Sequence, residues 1–230
     1  MKVIIFGATG MIGQGVIKEC LNDPEVEIVL SVGRSSTGLR HEKLREVIHR
    51  DLQNLSTIEE SLAGYDACFF CLGITSVGMT EPEYKHVTYD ITLAVAQTLV
   101  KMNAGMTFIY VSGAGTDSTE QGRSMWARVK GKTENALLRL PFKATYMLRP
   151  AYIQPMNGIV PRIRWYRLVY AAMGMFYPLL KVIFPKYVTT TEILGRVMIT
   201  IAKQGANKPV LESGDLNRIL DCKINNKGAV

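Results

Sequence analysis

Three glycines spaced three residues apart, directly after an apolar segment, constrain the fold of this chain more than any other feature. Lys2–Phe6 reads KVIIF, a run of β-branched and aromatic residues typical of a buried parallel strand. Gly7, Gly10 and Gly13 follow it, and a helix is predicted over 16–21. Glycines also serve ordinary turns, but a G-x-x-G-x-x-G turn between a strand and a helix is typical of dinucleotide binding.

This turn predicts where the phosphates of a dinucleotide would lie. Gly7 allows a tight turn, Gly10 lets the backbone approach the pyrophosphate, and Gly13 lets the helix pack close to the sheet. The helix N-terminus contributes free N–H groups and the positive end of its dipole. The residues predicted to line this phosphate site are Gly7, Thr9, Gly10, Met11, Ile12 and Gly13.

Strands and helices alternate along the first 150 residues. Further strands are predicted over 27–32, 46–50, 66–70, 107–111 and 144–148, and longer helices over 81–101 and 125–140. This alternation predicts an α/β protein with a Rossmann-type doubly wound parallel sheet and right-handed crossovers. Residues 1–150 are expected to form this domain. Residues 151–230 are expected to form a small, mostly helical lobe on the substrate side, as part of the same structural unit.

The end of the second strand distinguishes the two nicotinamide dinucleotides. An enzyme that uses NAD places an acidic residue there, which binds the ribose hydroxyls. This chain has Arg34 and Ser35 instead, and Arg40 adds charge nearby. A guanidinium can bind a 2′-phosphate through two hydrogen bonds, with serine hydroxyls as further donors. The sequence therefore predicts NADP(H) as the cofactor.

Asp51 and Leu52 end the third predicted strand, where the adenine edge would lie in this fold. The Asp51 carboxylate is predicted to accept a hydrogen bond from the exocyclic amine of the adenine. The alternative is that Asp51 caps the next turn of the backbone.

Composition and charge limit the compartment and the partners. The chain has 47% hydrophobic and 20% charged residues, as globular proteins do, and its net charge of +7 favours anionic ligands. The basic residues form no tail and no run interleaved with aromatics, so no nucleic-acid partner is predicted. The four cysteines form no secreted framework, and no signal peptide is predicted before the first strand. A cytoplasmic location is therefore expected.

Cys68 and Cys71 have a spacing found in redox and metal-binding pairs. They fall around the fourth predicted strand, where side chains three residues apart point to opposite faces. No second cysteine pair or nearby histidine completes a zinc site. Both are predicted to be core residues, and no metal site is expected.

The segment 162–187 allows more than one interpretation. Its apolar run, 168–180, follows three arginines and precedes Lys181, and it is too short to span a bilayer. A buried helix of the substrate-side lobe is the favoured interpretation. Contact with a membrane surface through 162–187, or a homo-oligomer interface, are the alternatives.

Several motifs in the first 150 residues resemble those of one family. They are GATGMIG at the start, VGR, DL and CLG after the second, third and fourth strands, VSGAG after the fifth, and WARVKGKTE in the following helix. The chain resembles the atypical branch of the short-chain dehydrogenase/reductase superfamily. Within it, the chain is similar to the NAD(P)H-binding proteins described as nucleoside-diphosphate-sugar epimerase-like, including Tat-interacting oxidoreductase-like proteins. The resemblance implies a Rossmann fold with NADP(H) across the carboxyl ends of the strands, and it adds Leu72 and Gly73 to the cofactor site.

The same resemblance implies catalytic positions, and one of them is altered. Enzymes of this family use a serine or threonine after the fifth strand and a Tyr-x-x-x-Lys pair on the next helix. Ser112 and Lys130 match the first and last of these, and Lys130 is also expected to bind the nicotinamide ribose. Trp126 stands at the tyrosine position. An indole N–H donates a hydrogen bond but cannot act as the acid or base.

Two classes of function follow from this pattern. The first is an NADP(H)-dependent oxidoreductase or epimerase-like enzyme, acting on an unknown carbonyl or hydroxyl substrate with an atypical acid or base. The second is a non-catalytic NADP(H)-binding sensor or protein-interaction module. The residues near the site that could replace the tyrosine are Ser124, Thr116, Asp117, Tyr89 and Tyr152.

Overall fold

Seven parallel strands form the central sheet of the protein. The computed structural model describes residues 1–159, 174, 177, 180 and 182–227, with side chains described up to residue 220. The strands of the sheet are β1 (Lys2–Phe6), β2 (Ile28–Gly33), β3 (Leu44–Ile48), β4 (Ala67–Phe70), β5 (Thr107–Val111), β6 (Ala144–Arg149) and β9 (Val210–Glu212). A separate pair of parallel strands is formed by β7 (Tyr152–Gln154) and β8 (Val188–Thr190).

The order of the strands confirms the predicted doubly wound architecture. It is β3-β2-β1-β4-β5-β6-β9, and every neighbouring pair is parallel. The chain runs outward from β1 through β2 to β3, then returns to the other side of β1 at β4. In such sheets ligands bind at this reversal, outside the carboxyl ends of the strands.

Helices cover both faces of the sheet. Their bounds are α1 (Met11–Asn22), α2 (Glu81–Lys85), α3 (Ile91–Met102), α4 (Met125–Leu138), α5 (Thr191–Gln204) and α6 (Ser213–Lys227). Short 3-10 and π-helical segments lie at Glu59–Leu62 and His86–Asp90. The sheet divides the buried apolar side chains into two clusters, one packed against α1 and α5 and the other against α3 and α4.

Two predicted helices differ from the observed ones. The first begins at Met11 rather than at residue 16, because Gly13 and Gly15 already belong to the helix. A Cβ at Gly15 would lie 2.5 Å from the Cβ of Thr191, so this glycine serves the close packing of α1 on α5. The helix predicted over 81–101 is interrupted by the π-helical turn, in which Ile91 N–H donates to His86 O.

The C-terminal part contributes more strand than expected. Strand β9 pairs with β6 and completes the sheet, and β7 and β8 form the second pair, so three short strands accompany the helices α5 and α6 in the described C-terminal residues. Most of the segment 162–187 lies outside the described residues. Among the described helices, none has the length and apolar character needed to cross a membrane. Membrane-surface contact and homo-oligomer formation stay predictions.

Candidate dinucleotide-binding and proton-transfer site

The glycine turn is tightly closed against the start of α1 and the end of β4. Gly7 has a φ of 80°, a backbone conformation that favours glycine. A Cβ at Gly7 would lie 2.6 Å from Leu72 N, and one at Gly13 would lie 2.1 Å from Gly7 O. Gly10 N–H donates to Gly7 O at 2.9 Å and closes the turn. A side chain at Gly7 or Gly13 would therefore clash with the backbone and prevent the close approach of the turn to the helix.

The first N–H groups of α1 point out of this turn with no side-chain acceptor. Gly10 occupies the N-cap position and makes no side-chain cap, and the first turn of α1 contains no acidic residue. The N–H groups of Met11, Ile12 and Gly13 belong to the first turn, where a helix leaves its donors without intrahelical partners. Together with the positive end of the helix dipole, they suit a pyrophosphate. Gln14 Nε2 donates to Thr9 O at 3.1 Å and holds the turn from the other side.

The loop after β2 presents Arg34 and Ser35 at the surface. Both side chains are exposed, and within the described part of the chain Arg34 makes no ion pair. Glu46 on β3 holds the rest of the loop, because Ser36 Oγ and Thr37 N–H each donate to its carboxylate at 2.7 Å. The guanidinium of Arg34 is therefore available to a ligand at the carboxyl end of β2.

The residues after β3 and β4 contribute mainly backbone. Asp51 Oδ1 accepts a hydrogen bond from Gln53 N–H at 3.0 Å, so one carboxylate oxygen caps the turn, and the contact of Asp51 with adenine stays a prediction. Leu52 is buried in the core beneath this turn. Leu72 packs its backbone against Gly7, and Gly73 follows at the surface.

Ser112, Thr116 and Lys130 meet at the carboxyl end of β5. Lys130 Nζ donates to Ser112 O at 3.1 Å, and Ser112 Oγ lies 3.0 Å from Thr116 Oγ1. Thr116 Oγ1 donates to Gly113 O at 2.8 Å. Burial lowers the pKa of Lys130 to about 8, and the nearby charge of Glu134 opposes this shift only in part. The two family positions that this chain retains are thus brought together at the carboxyl end of the sheet.

Trp126 packs over the glycine loop that follows β5. A Cβ at Gly115 would lie 3.4 Å from the Cη2 atom of the indole, and Gly115 has a φ of 84°. The indole therefore occupies space that a side chain at residue 115 would need. Gly131, one turn beyond Trp126, approaches the same loop so closely that a Cβ would lie 1.7 Å from Asp117 O.

Of the residues considered as substitutes for the tyrosine, Asp117 is committed to its own loop. Its carboxylate accepts hydrogen bonds from Thr119 Oγ1 and from Gly122 N–H, and these bonds lower the pKa of Asp117. Tyr152 donates its hydroxyl proton to Gln154 Oε1 at 2.6 Å. Asp117 is thus an ionised acceptor, and the Tyr152 hydroxyl is bonded within its own strand.

Ser124 and Tyr89 were also considered as substitutes. Ser124 occupies the N-cap position of α4, although its hydroxyl makes no capping hydrogen bond. Tyr89 lies in the π-helical turn, with Lys85 Nζ and Lys132 Nζ 5.0 and 5.2 Å from the centre of its ring. Both lysines lie on helical segments rather than on the loop that carries Ser112.

One buried ion pair beside the site was missed by the sequence analysis. Arg149, at the end of β6, donates from Nε and Nη2 to the two carboxylate oxygens of Glu134 on α4, at 3.0 and 2.5 Å. Glu134 is 1% exposed. Arg149 also donates to Ser118 Oγ and to Glu212 Oε1. Two features of the sequence could have pointed to this pair. Arg149 is a charged residue at the end of an apolar strand, and Glu134 lies one helical turn beyond Lys130 in a predicted helix.

The cysteines have the character of buried thiols. Cys68 is fully buried in β4, and Cys71 follows the strand. Desolvation raises the pKa of Cys68, and it raises the pKa of Cys71 to about 12. Thiols with a raised pKa carry little thiolate, the form that reacts and binds metals.

Comparison with known proteins identifies the family. Residues 7–144 match the model of a family described as NAD(P)H-binding. The chain is 27% identical over 152 residues to "Protein FMP52-2, mitochondrial" of Scheffersomyces stipitis, covering 65% of each chain. It is 28% identical over 178 residues to "Protein FMP52, mitochondrial" of Debaryomyces hansenii, covering 74% of this chain and 76% of the relative. The matched part is thus about two thirds of the length of the first of these relatives.

The fold has close counterparts among solved structures. The structure of DesIV, a dTDP-glucose 4,6-dehydratase from Streptomyces venezuelae with NAD and TYD bound, superposes with a TM-score of 0.66. The superposition covers 96% of this chain and 80% of the DesIV chain, and the two sequences are 14% identical. Identity this low shows a shared fold only.

The chain is a Rossmann-fold protein, as the resemblance to atypical short-chain dehydrogenases/reductases implied. It belongs to the NAD(P)H-binding family whose model it matches over 7–144. The expected cytoplasmic location is wrong on the same comparison, because the FMP52 relatives are named mitochondrial proteins. The sequence argument failed because cysteine usage distinguishes oxidising from reducing compartments and does not separate one reducing compartment from another.

Proposed function

We propose that this protein is an NADP(H)-dependent oxidoreductase that acts on a carbonyl or hydroxyl substrate. The observation that carries the proposal is the contact of Lys130 Nζ with Ser112 O, 3.1 Å, at the carboxyl end of β5. The glycine turn, Arg34 and Lys130 can hold the nucleotide by themselves, so Ser112 beside this half-buried amine is the feature that nucleotide binding alone does not require. The relatives' names favour a mitochondrial setting for this activity.

The residues fit a bound dinucleotide along the carboxyl edge of the sheet. The N–H groups of Met11, Ile12 and Gly13 would bind the pyrophosphate, Arg34 the 2′-phosphate, and Lys130 the nicotinamide ribose. When bound, the cofactor supplies or accepts a hydride. The protein then has to orient the substrate oxygen and to donate a proton to it or accept one from it.

An apolar pocket beside this edge suits the substrate. It has a volume of about 310 Å³ and is lined by Ala151, Tyr152, Leu180, Phe184, Tyr187 and Val188. Ala114 N–H donates to Pro150 O at 2.9 Å, which joins the loop after β5 to the chain segment that begins this pocket. A carbonyl compound with an apolar substituent is the class of substrate that this lining favours.

We expect Arg34→Glu to weaken NADPH binding at least tenfold and to leave NADH binding within about threefold. The variant removes a charge-assisted bond to the 2′-phosphate and adds a repelling carboxylate, a change worth about 1.5–3 kcal/mol. Titration of the nucleotide fluorescence gives both dissociation constants. Arg139→Glu is the matched control, since Arg139 is an exposed arginine at the end of α4. Unchanged NADPH affinity in the Arg34 variant would rule out its role in binding the 2′-phosphate.

The second candidate function is a non-catalytic NADP(H)-binding module, which Trp126 favours. Trp126→Tyr tests it, because a phenol next to the Lys130 amine can transfer a proton. For an oxidoreductase we expect wild-type protein to consume NADPH with members of a panel of carbonyl compounds, and the variant to change that rate less than tenfold. Consumption that appears only in Trp126→Tyr would identify the natural protein as the non-catalytic module.

A further inference from the structure

The hydroxyl protons of Ser112 and Thr116 are both donated in hydrogen bonds within the protein. Thr116 Oγ1 donates its only proton to Gly113 O at 2.8 Å. In the 3.0 Å contact between Ser112 Oγ and Thr116 Oγ1, Ser112 must therefore be the donor. Ser112 is left with lone pairs and no free proton, so in this arrangement it accepts from a ligand and does not donate to one.

The other polar groups of this edge are also unable to supply a proton. The Trp126 indole donates a hydrogen bond but does not release its proton. The Asp117 carboxylate is held ionised by Thr119 and Gly122. Within the described residues, this leaves the amine of Lys130 as the group beside Ser112 that carries protons it can give up.

Lys130 lies in surroundings that differ from those of an ordinary surface lysine. Its Nζ donates to Ser112 O and lies 5.4 Å from the centre of the Tyr110 ring. No carboxylate of the described residues is within 4 Å of it, and the nearest acid on α4, Glu134, is bonded to Arg149. A half-buried ammonium with no carboxylate in contact is costly, and the cost falls when the group can lose its proton.

We propose that Lys130 itself is the acid/base residue of this protein, in the role that the tyrosine has in its family; this inference rests on the proposed oxidoreductase function. In carbonyl reduction, an N–H bond of the Lys130 ammonium breaks and its proton forms the O–H bond of the product. The carbonyl carbon receives a hydride from NADPH, which becomes NADP⁺, and the π electron pair of the carbonyl passes to the oxygen. Lys130 is left as a neutral amine and takes a proton from water.

The charged and titratable neighbours support this role. Burial lowers the pKa of Lys130 to about 8, so a useful fraction of both forms exists near neutral pH. The Tyr110 ring on β5 lies 5.4 Å from the Lys130 amine, and burial raises the pKa of its phenol, as it does for Tyr84 on α2. Glu134 on α4 contributes the opposing charge, which keeps part of the amine protonated.

The first test measures the titration of Lys130 in the protein without nucleotide. The amines are labelled briefly with acetic anhydride between pH 6 and pH 11, and the modified peptides are quantified by mass spectrometry. We expect the reactivity of Lys130 to reach half its maximum near pH 8, whereas an ordinary lysine does so near about 10.4. Lys132, exposed and two residues away, is the internal control. A half-maximum for Lys130 near 10.4 would overturn the proposal.

The second test separates cofactor binding from proton transfer. Lys130→Arg keeps a positive donor for Ser112 O, but a guanidinium does not release its proton. We expect NADPH binding to weaken by no more than about tenfold, because the guanidinium still donates hydrogen bonds, and turnover at saturating NADPH to fall about 100-fold or more, the contribution typical of general acid catalysis. Lys132→Arg is the matched control and should keep wild-type turnover.

The outcomes distinguish the two proposals. Equal turnover in the two arginine variants would overturn the role of Lys130 and leave the oxidoreductase function standing. Absence of turnover in the wild-type protein, or of NADPH binding, would overturn the proposed function and this inference together. Weaker NADPH binding by Lys130→Arg, with turnover at saturating NADPH within about threefold of wild type, would limit Lys130 to binding the nicotinamide ribose and overturn its role as the acid.

Discussion

Replacing Gly13 with alanine is expected to weaken NADPH binding about 100-fold. The new Cβ would lie 2.1 Å from Gly7 O and 2.7 Å from Ala8 Cα, both parts of the backbone that cannot rotate away. Helix α1 must therefore move away from the turn, and its first N–H groups move with it. Losing two charge-assisted hydrogen bonds of about 1.5 kcal/mol each corresponds to roughly this factor.

The same substitution is expected to destabilise the protein without nucleotide by about 2–3 kcal/mol. Inserting a methyl group into a close-packed contact commonly costs 1–3 kcal/mol, and here the neighbours are main-chain atoms that adapt poorly. Urea unfolding followed by circular dichroism gives the free energy of unfolding. NADPH titration without urea, at a temperature well below thermal unfolding, gives the affinity of the folded variant.

Gly105→Ala provides the matched control for this experiment. Gly105 lies between α3 and β5, and a Cβ added there would meet no atom within 4 Å. We expect this variant to bind NADPH as the wild type does and to unfold at a similar urea concentration. If Gly13→Ala behaved in the same way, the close approach of α1 to the turn would not be what forms the phosphate site.

The local signals of the sequence were sufficient for the first six strands of the sheet. Apolar runs of β-branched and aromatic residues predicted β1 and β5 with their observed bounds, Lys2–Phe6 and Thr107–Val111. Such runs are buried on both faces, so no alternation is needed to identify them. The glycine spacing, together with its position between strand and helix, predicted the turn and therefore the class of ligand.

Features that depend on tertiary contacts were not visible in the same way. Strand β9 is three residues long and gains its place only by pairing with β6. The π-helical turn at His86–Asp90 lies within a continuous helical pattern, because one extra residue hardly alters the apolar period. The hydrogen bonds that use the Ser112 and Thr116 protons are known only from two distances, Ser112 Oγ to Thr116 Oγ1 and Thr116 Oγ1 to Gly113 O. No pattern of residues in the sequence predicts these distances.

The largest loss of stability is expected from Arg149→Met, which leaves the Glu134 carboxylate buried without its partner. Arg149 makes a two-bond contact with Glu134, at 3.0 and 2.5 Å, and Glu134 is 1% exposed. Removing one member of a buried pair costs about 3–5 kcal/mol, because the remaining charge has no water to replace the lost contact. We expect the free energy of unfolding in urea to fall by about this amount.

Arg196→Met is the matched control, because Arg196 also makes two ion pairs but is 57% exposed. Exposed pairs contribute about 0–1 kcal/mol, so this variant should unfold almost as the wild type does. If the two variants lost equal stability, the burial of Glu134 would not be what makes the Arg149 contact strong.

The double variant Arg149→Met with Glu134→Met separates the cost of the orphaned charge from the contribution of the pair itself. Replacing a whole buried pair by apolar side chains of similar size is often neutral or stabilising, so the double variant should recover most of the loss. Glu134 and Lys130 lie one turn apart on α4, and β6 holds that helix through Arg149. A double variant that recovered stability but lost carbonyl turnover would show that the pair acts by positioning the Lys130 amine at the end of β5.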